Sequence, residues 1–155
     1  MNQSVVRLFI LILNISIIGC SKVDQKKEVA VSMSFEDLKI KADKYYQADD
    51  YENALKLYTD LIYQDSSVGE FWYRRGYSLA QLNYHETSVP DYLKSIELDY
   101  RRYDSYYTLG LYHATILRND SLAHYYLNKA LELKPSSSEV NDILKTLSNS
   151  DEVNI

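Results

Sequence analysis

The chain has 155 residues, with 17 Lys+Arg against 22 Asp+Glu, one cysteine and 16 tyrosines. That length suggests one domain at most, a 46% hydrophobic share excludes a wholly disordered chain, and a net charge of -5 argues against a general nucleic-acid binder. A single cysteine excludes an intramolecular disulfide framework and a multi-cysteine zinc site, and four glycines with two prolines supply little turn chemistry for sheets, so the composition points to helices.

The chain opens with Arg7 followed by an apolar run, Leu8–Ile18, broken only by Asn14 and Ser16. As a helix that run would span about 16 Å, roughly half the hydrocarbon core of a bilayer. A spanning anchor fits poorly and a secretory signal fits well. The run ends in Ile17-Ile18-Gly19-Cys20, which resembles the lipobox of bacterial lipoproteins. That resemblance implies a signal peptide over residues 1–19, cleaved before Cys20. Cys20 would carry diacylglycerol on its thiol and an acyl chain on its new amino group. A chance or buried cysteine after a secretory signal is the bland alternative. Ser21 stands where an aspartate tends to hold such lipoproteins in the inner membrane, which favours the outer membrane of the cell envelope. Residues 20–34 are polar and mixed in charge and read as a lipidated flexible tether, with a mean span of roughly 20 Å.

From Phe35 the sequence repeats, over residues 35–68, 69–102 and 103–137. One residue is inserted in the inter-helix turn of the third unit. A period near 34 residues without strand alternation indicates helix pairs. Ala42, Gly76 and Gly110 are predicted to let the first helix of each pair approach the second, with Ala54, Ala123 and Ala130 doing the same from the facing side. Tyr58, Tyr92, Trp72 and Tyr106 are predicted to fill the gaps between pairs. Together with the segments at 72–76 (WYRRG), 50–55 (DYENAL) and 128–135 (NKALELKP), these positions resemble the tetratricopeptide repeat (TPR) family. The resemblance implies an all-α fold of three helix-turn-helix repeats in a right-handed α-solenoid. Val140, Ile143, Leu144 and Leu147 recur at i, i+3, i+4 and i+7, which predicts a capping helix over 138–148, with Ser136 and Glu139 as its capping box. The TPR domain then covers 35–148, and 149–155 reads as a disordered tail. Pro90 conflicts with the second helix of unit two. Either that helix starts late, with Thr87 or Ser88 as N-cap, or it is kinked.

The residues offer no catalytic constellation. His85, His113 and His124 lack the spacing of a metal site, and no phosphate-binding loop or nucleophile elbow occurs. The expectation is no enzyme, no metal, no cofactor beyond the lipid at Cys20, no small-molecule substrate and no nucleic acid. In TPR proteins the concave surface is lined by the first helix of each pair. The resemblance therefore implies a peptide-binding groove that includes Lys39, Tyr46, Tyr73, Arg74, Tyr77 and Tyr107. Some of these rings would pack against neighbouring helices instead, if the bland reading holds. Lys39 matches the clamp by which some TPRs hold acidic C-terminal tails, but Asp43, Arg74 and Asp104 do not, so that ligand class is disfavoured. The functional expectation is a lipid-anchored adaptor that binds a protein partner's peptide or helix in the bacterial envelope. The alternatives are a structural subunit that docks through its convex face or ends and, more remotely, a hydrolase or transferase.

Overall fold

The computed structural model describes residues 33–152, with side chains as far as residue 149. The signal peptide, Cys20, nearly all of the tether and the last three residues lie outside the described residues. Among the described residues seven α-helices follow one another: α1 (Phe35–Gln47), α2 (Tyr51–Gln64), α3 (Gly69–Gln81), α4 (His85–Glu97), α5 (Arg102–Tyr112), α6 (Asp120–Leu133) and α7 (Ser138–Glu152). No strand occurs among the described residues. The helices pack as three pairs, α1 with α2, α3 with α4 and α5 with α6, and each pair leans on the next.

Local chemistry sets the helix starts. The Ser34 hydroxyl oxygen accepts from the Asp37 N–H at 3.1 Å and donates to the Asp37 carboxylate at 2.6 Å. Asp50 accepts from the Asn53 N–H at 3.2 Å, and Asn119 from the Leu122 N–H at 3.1 Å. Each satisfies a donor otherwise left open in the first turn, an effect of about 1 kcal/mol. At α7 the cap falls on Ser137 rather than on the predicted Ser136. The Ser137 hydroxyl accepts from the Val140 N–H at 3.4 Å and is held by the Tyr103 hydroxyl at 2.9 Å. Burial of Ser137 between α5 and α7 selects it over its exposed neighbour. Helix α7 continues to Glu152, four residues past the predicted end.

The turns between paired helices repeat as well. Asp49 and Asn83 take left-handed φ values of 57° and 65° at equivalent places in units one and two, and both are residue types that tolerate this region. In unit three the equivalent residue is Arg118, φ 49°, one position later than the period requires. The extra residue is absorbed by a π-helical turn over His113–Leu117, directly after α5. The predicted insertion is thus a local widening of the helix end rather than a longer loop.

In unit two the helix does not start late. Helix α4 begins at His85, so neither Thr87 nor Ser88 caps it, and Pro90 lies inside it. Pro90 offers no N–H to the Glu86 carbonyl, a loss of roughly 3 kcal/mol in a helix interior. Both residues are exposed, which leaves that carbonyl open to water.

The core follows the repeat register. Ala42, Ala54, Ala123 and Ala130 are fully buried where the helices of a pair cross. At Gly110 a Cβ would come within 2.6 Å of the Leu127 side chain, so this crossing is closer than alanine allows. Tyr58 and Tyr92 are buried between pairs, whereas Trp72 and Tyr106 are half-buried at their edges. Several buried polar groups inside the stack are paired with one another. Arg75 holds Asp91, which is buried, through two bonds of 2.7 Å between α3 and α4. The buried Ser95 and Ser105 hydroxyls meet at 2.8 Å between α4 and α5.

Candidate functional site

The first helices of the pairs lie side by side and form one face. Asp43 and Tyr46 of α1 meet Arg74 and Tyr77 of α3. Ala80 and Gln81 of α3 share a cleft with Thr108, Leu111 and Thr115 after the next step. Tyr103 and Tyr107 of α5 reach Ser137 and Glu139 at the start of α7. Helix α7 therefore extends this face by a fourth member. That extension was legible in the register, because residue 138 stands one inserted period after Tyr103, but sequence reasoning assigned α7 only a capping role.

At the α1 end the face is a tyrosine and ion-pair cluster. The Tyr46 ring lies 5.5 Å from Tyr77 and 6.2 Å from Tyr51, and Tyr77 lies 6.4 Å from Tyr73. The Arg74 guanidinium sits 5.2 Å from the Tyr46 ring centre. It pairs with Asp43 at 2.6 Å and with Glu70 at 2.6 Å, and it donates to the Tyr58 hydroxyl at 3.1 Å. Lys39 pairs with the same Asp43 at 3.4 Å. Burial pushes the Tyr46 hydroxyl above the usual phenol range, and the neighbouring hydroxyls of Tyr73 and Tyr77 add to this. Burial likewise raises Tyr58. These phenols stay protonated at any physiological pH, and Tyr58 donates its proton to Asp43 at 2.8 Å.

The six predicted groove residues are not equivalent. Tyr46 and Tyr77 come together and remain partly open. Lys39 and Arg74 carry their counter-ions with them, so neither is a free cation for a ligand carboxylate. Tyr73 is buried. Its ring is walled by Tyr92 at 5.9 Å and Tyr100 at 5.9 Å, and Arg101 lies 5.4 Å from its centre. It serves the packing of units two and three, the bland reading for that ring. Tyr107 stacks on Tyr103 with rings 6.2 Å apart, and its hydroxyl donates to Glu139.

At the other end the face is smoother and less polar. One cleft of about 230 Å³ lies between α3 and α5, with Ala80, Leu111 and Ile116 on its walls. Beneath it a chamber of about 20 Å³ shares Ala80, His85, Thr108 and Tyr112 and is lined by the buried Tyr92. The Tyr92 hydroxyl has no hydrogen-bond partner among the described residues, and a chamber of this size is large enough for one water molecule. A second cleft of about 340 Å³, the α5–α7 cleft, lies between the π-helical turn that continues α5 and helix α7. Ala114, Ile143 and Leu147 form its apolar lining and Asp142 stands among them. Sequence reasoning missed Asp142 as a surface residue of this face. Among the described residues, no group of three His, Cys, Asp or Glu stands close enough to hold a metal ion. No described helix is long and apolar enough to cross a membrane.

No family model matches the chain. Over 88 residues, 52% of its length, it is 32% identical to serine/threonine-protein phosphatase 5 of Homo sapiens, and the same holds for that of Rattus norvegicus. The match spans only 18% of those relatives' length. Among solved structures, the TPR domain of Arabidopsis OM64 superimposes with a TM-score of 0.64 at 20% identity, covering 73% of this chain and 93% of that domain. The first TPR of Spaghetti (RPAP3), solved with the HSP90 peptide SRMEEVD, gives 0.64 at 22% identity, covering 75% and 91%. These likenesses show the fold: an all-α solenoid of TPR helix pairs with a final capping helix.

Proposed function

We propose that this chain is a TPR interaction adaptor, tethered by lipid at Cys20 to the bacterial cell envelope, that holds a peptide or helix of a protein partner against the face formed by α1, α3, α5 and α7. One observation carries the adaptor reading: that face is left open, with two clefts of about 230 and 340 Å³ along it and no element of the described chain across them. The TPR domain of Spaghetti, with its bound HSP90 peptide, supports the same use of the fold. The reading assigns no catalytic role and no cofactor other than the lipid.

The tether and anchor rest on Ile17-Ile18-Gly19-Cys20 and on the polar segment that follows. Outer rather than inner membrane is the favoured site, on Ser21. Cys20→Ala should abolish fatty-acid labelling and membrane retention; labelling that persists rules out this lipid site.

A photo-crosslinking residue placed at Leu111 or Tyr77 should capture a protein partner in cells. The second reading, a structural subunit that docks through the convex side, is favoured by the second helices. There Tyr63 is 92% exposed, and Leu93 and Tyr125 are also open. Crosslinks from Tyr63 and Tyr125 alone, with none from Leu111 or Tyr77, would select that reading.

A further inference from the structure

We infer that the open face takes a cationic segment, and that the cleft between α5 and α7 receives one of its arginine or lysine side chains. This inference rests on the groove reading above and names the chemistry of the partner. It is the opposite of an acidic tail such as SRMEEVD.

Charge along the face carries the argument. Its carboxylates are Glu36, Asp43, Glu70, Asp104, Glu139 and Asp142. Its cations are Lys39 and Arg74, joined by Arg101 from the turn before α5 and by Lys134 from the turn before α7, which lies 5.2 Å from the Tyr103 ring. The first three are already committed to carboxylates: Lys39 to Asp43, Arg74 to Asp43 and Glu70, and Arg101 to Asp104 at 3.2 Å. Among the described residues no ion pair engages Glu36 or Asp142, and Glu139 accepts only from the Tyr107 hydroxyl. The surplus on this face is therefore negative, in a chain whose net charge is also negative. An acidic ligand would meet repulsion and would have to displace an existing counter-ion. A basic ligand meets neither cost and gains in association rate.

The α5–α7 cleft adds shape to charge. Its walls are apolar at Ala114, Ile143 and Leu147, and Asp142 provides a carboxylate among them. An arginine or lysine has the matching form, an apolar stem with a charged head that reaches a polar edge. The stem lies along Ile143 and Ala114, and the head meets the Asp142 carboxylate. The neighbouring α3–α5 cleft, walled by Ala80, Leu111 and Ile116, takes an apolar side chain of the same segment.

The test uses the full-length chain in detergent micelles and two fluorescein-labelled peptides. In one, arginine alternates with leucine; in the other, glutamate replaces each arginine. Anisotropy should show binding of the arginine peptide that weakens with salt, and much weaker binding of the glutamate peptide. Asp142→Lys should weaken the arginine peptide about 10-fold or more, the scale of a lost charge pair at an interface. Asp60→Lys, an equal charge change on exposed α2, should leave it within about 2-fold, since distant surface charges are screened. Helix content of both variants is checked by circular dichroism, and Asp142→Asn replaces the lysine variant if that one unfolds. Equal loss from Asp142→Lys and Asp60→Lys, or preference for the glutamate peptide, overturns the inference. If crosslinks from Leu111 still trap a partner in that case, the groove reading stands and only the charge assignment falls.

Discussion

Arg74 of α3 and Asp43 of α1 lie 2.6 Å apart across the boundary between the first two repeats, and the buried Tyr58 hydroxyl donates to the same carboxylate at 2.8 Å. Glu70 also holds Arg74 at 2.6 Å, but it stands on the same helix, and its link outside that helix is a long 3.4 Å bond from the Tyr100 hydroxyl in the turn before α5. Asp43 joins three helices through short bonds; Glu70 joins a side chain to its own helix and only weakly to that turn. Asp43→Asn should therefore destabilise the fold by roughly 1–3 kcal/mol, the cost of stripping charge from a shared, half-buried acceptor. Glu70→Gln should cost under about 1 kcal/mol, as i,i+4 pairs within one helix do. Urea unfolding of the two variants checks the order, and equal losses would show that the inter-repeat link has no special weight.

Much of this arrangement could be read from the sequence, and the exceptions have identifiable causes. The repeat register located the alanines at the helix crossings, because a crossing distance depends on residue size at one position. It placed Tyr46 and Tyr77 on one face, because both fall at groove positions on the first helix of their pairs. It placed Tyr73 on the groove, where the structure buries it. That exposure is set by Tyr100 and Arg101, which fold over the ring from a loop outside the helical register. The register also could not show that Arg74 is spent on Asp43 and Glu70, since ion-pair choice depends on rotamers across a helix boundary. Pro90 in α4 was a conflict of local rules, and the solvent-facing side of the helix is where such a conflict is tolerated.

Gly110 is a place where helix propensity and packing oppose one another. Alanine is favoured over glycine inside a helix by roughly 0.5–1 kcal/mol. Here the added Cβ would stand 2.6 Å and 2.7 Å from the Leu127 side-chain carbons, and Leu127 is fully buried. The neighbour has no open space to move into, so packing decides the sign. Gly110→Ala should destabilise by about 1–3 kcal/mol, the range for an overfilled core. In a double-mutant cycle Gly110→Ala should cost less in the Leu127→Ala background than in the parent, because that change removes the clashing atoms. A thermal melt in which Gly110→Ala is the more stable protein would mean that α5 and α6 separate readily at this crossing.

His113 gives the fold a dependence on mild acid. It is buried at the start of the π-helical turn, its ring stacks 5.4 Å from Tyr126, and its Nδ1 has no partner. Burial pushes its pKa below the ordinary value of 6.5. Above about pH 6.5 both folded and unfolded chains hold it neutral, and its contribution to stability is complete. As the pH falls through that value the unfolded chain takes up the proton first, so stability declines until folded His113 is protonated too. His113→Phe keeps a ring against Tyr126 and removes the titration. Urea midpoints measured from pH 7.5 down to pH 5 should fall less steeply for the variant; parallel slopes would assign the acid sensitivity to other groups.

Tyr58 and Tyr92 are both buried between repeats, but their hydroxyls have opposite roles. Tyr58 donates to Asp43 at 2.8 Å and accepts from Arg74 at 3.1 Å. The Tyr92 hydroxyl has no partner among the described residues. Tyr58→Phe leaves the Asp43 acceptor short of a donor and should cost roughly 1–2 kcal/mol. Tyr92→Phe removes an unsatisfied polar atom and should be neutral or mildly stabilising, unless a water in the chamber beneath the α3–α5 cleft satisfies it, in which case a cost of about 1 kcal/mol appears. Alkaline titration separates them further. Burial raises both phenols above the ordinary value of 10. Past that pH the unfolded chain ionises first, so stability present below pH 10 is lost as the pH rises. Each phenylalanine variant should unfold at a higher pH relative to its own neutral-pH stability than the parent does. Followed by phenolate absorbance together with circular dichroism, the parent should show a step of tyrosine ionisation that coincides with loss of helix, because these two hydroxyls meet alkaline solvent only when the repeats come apart.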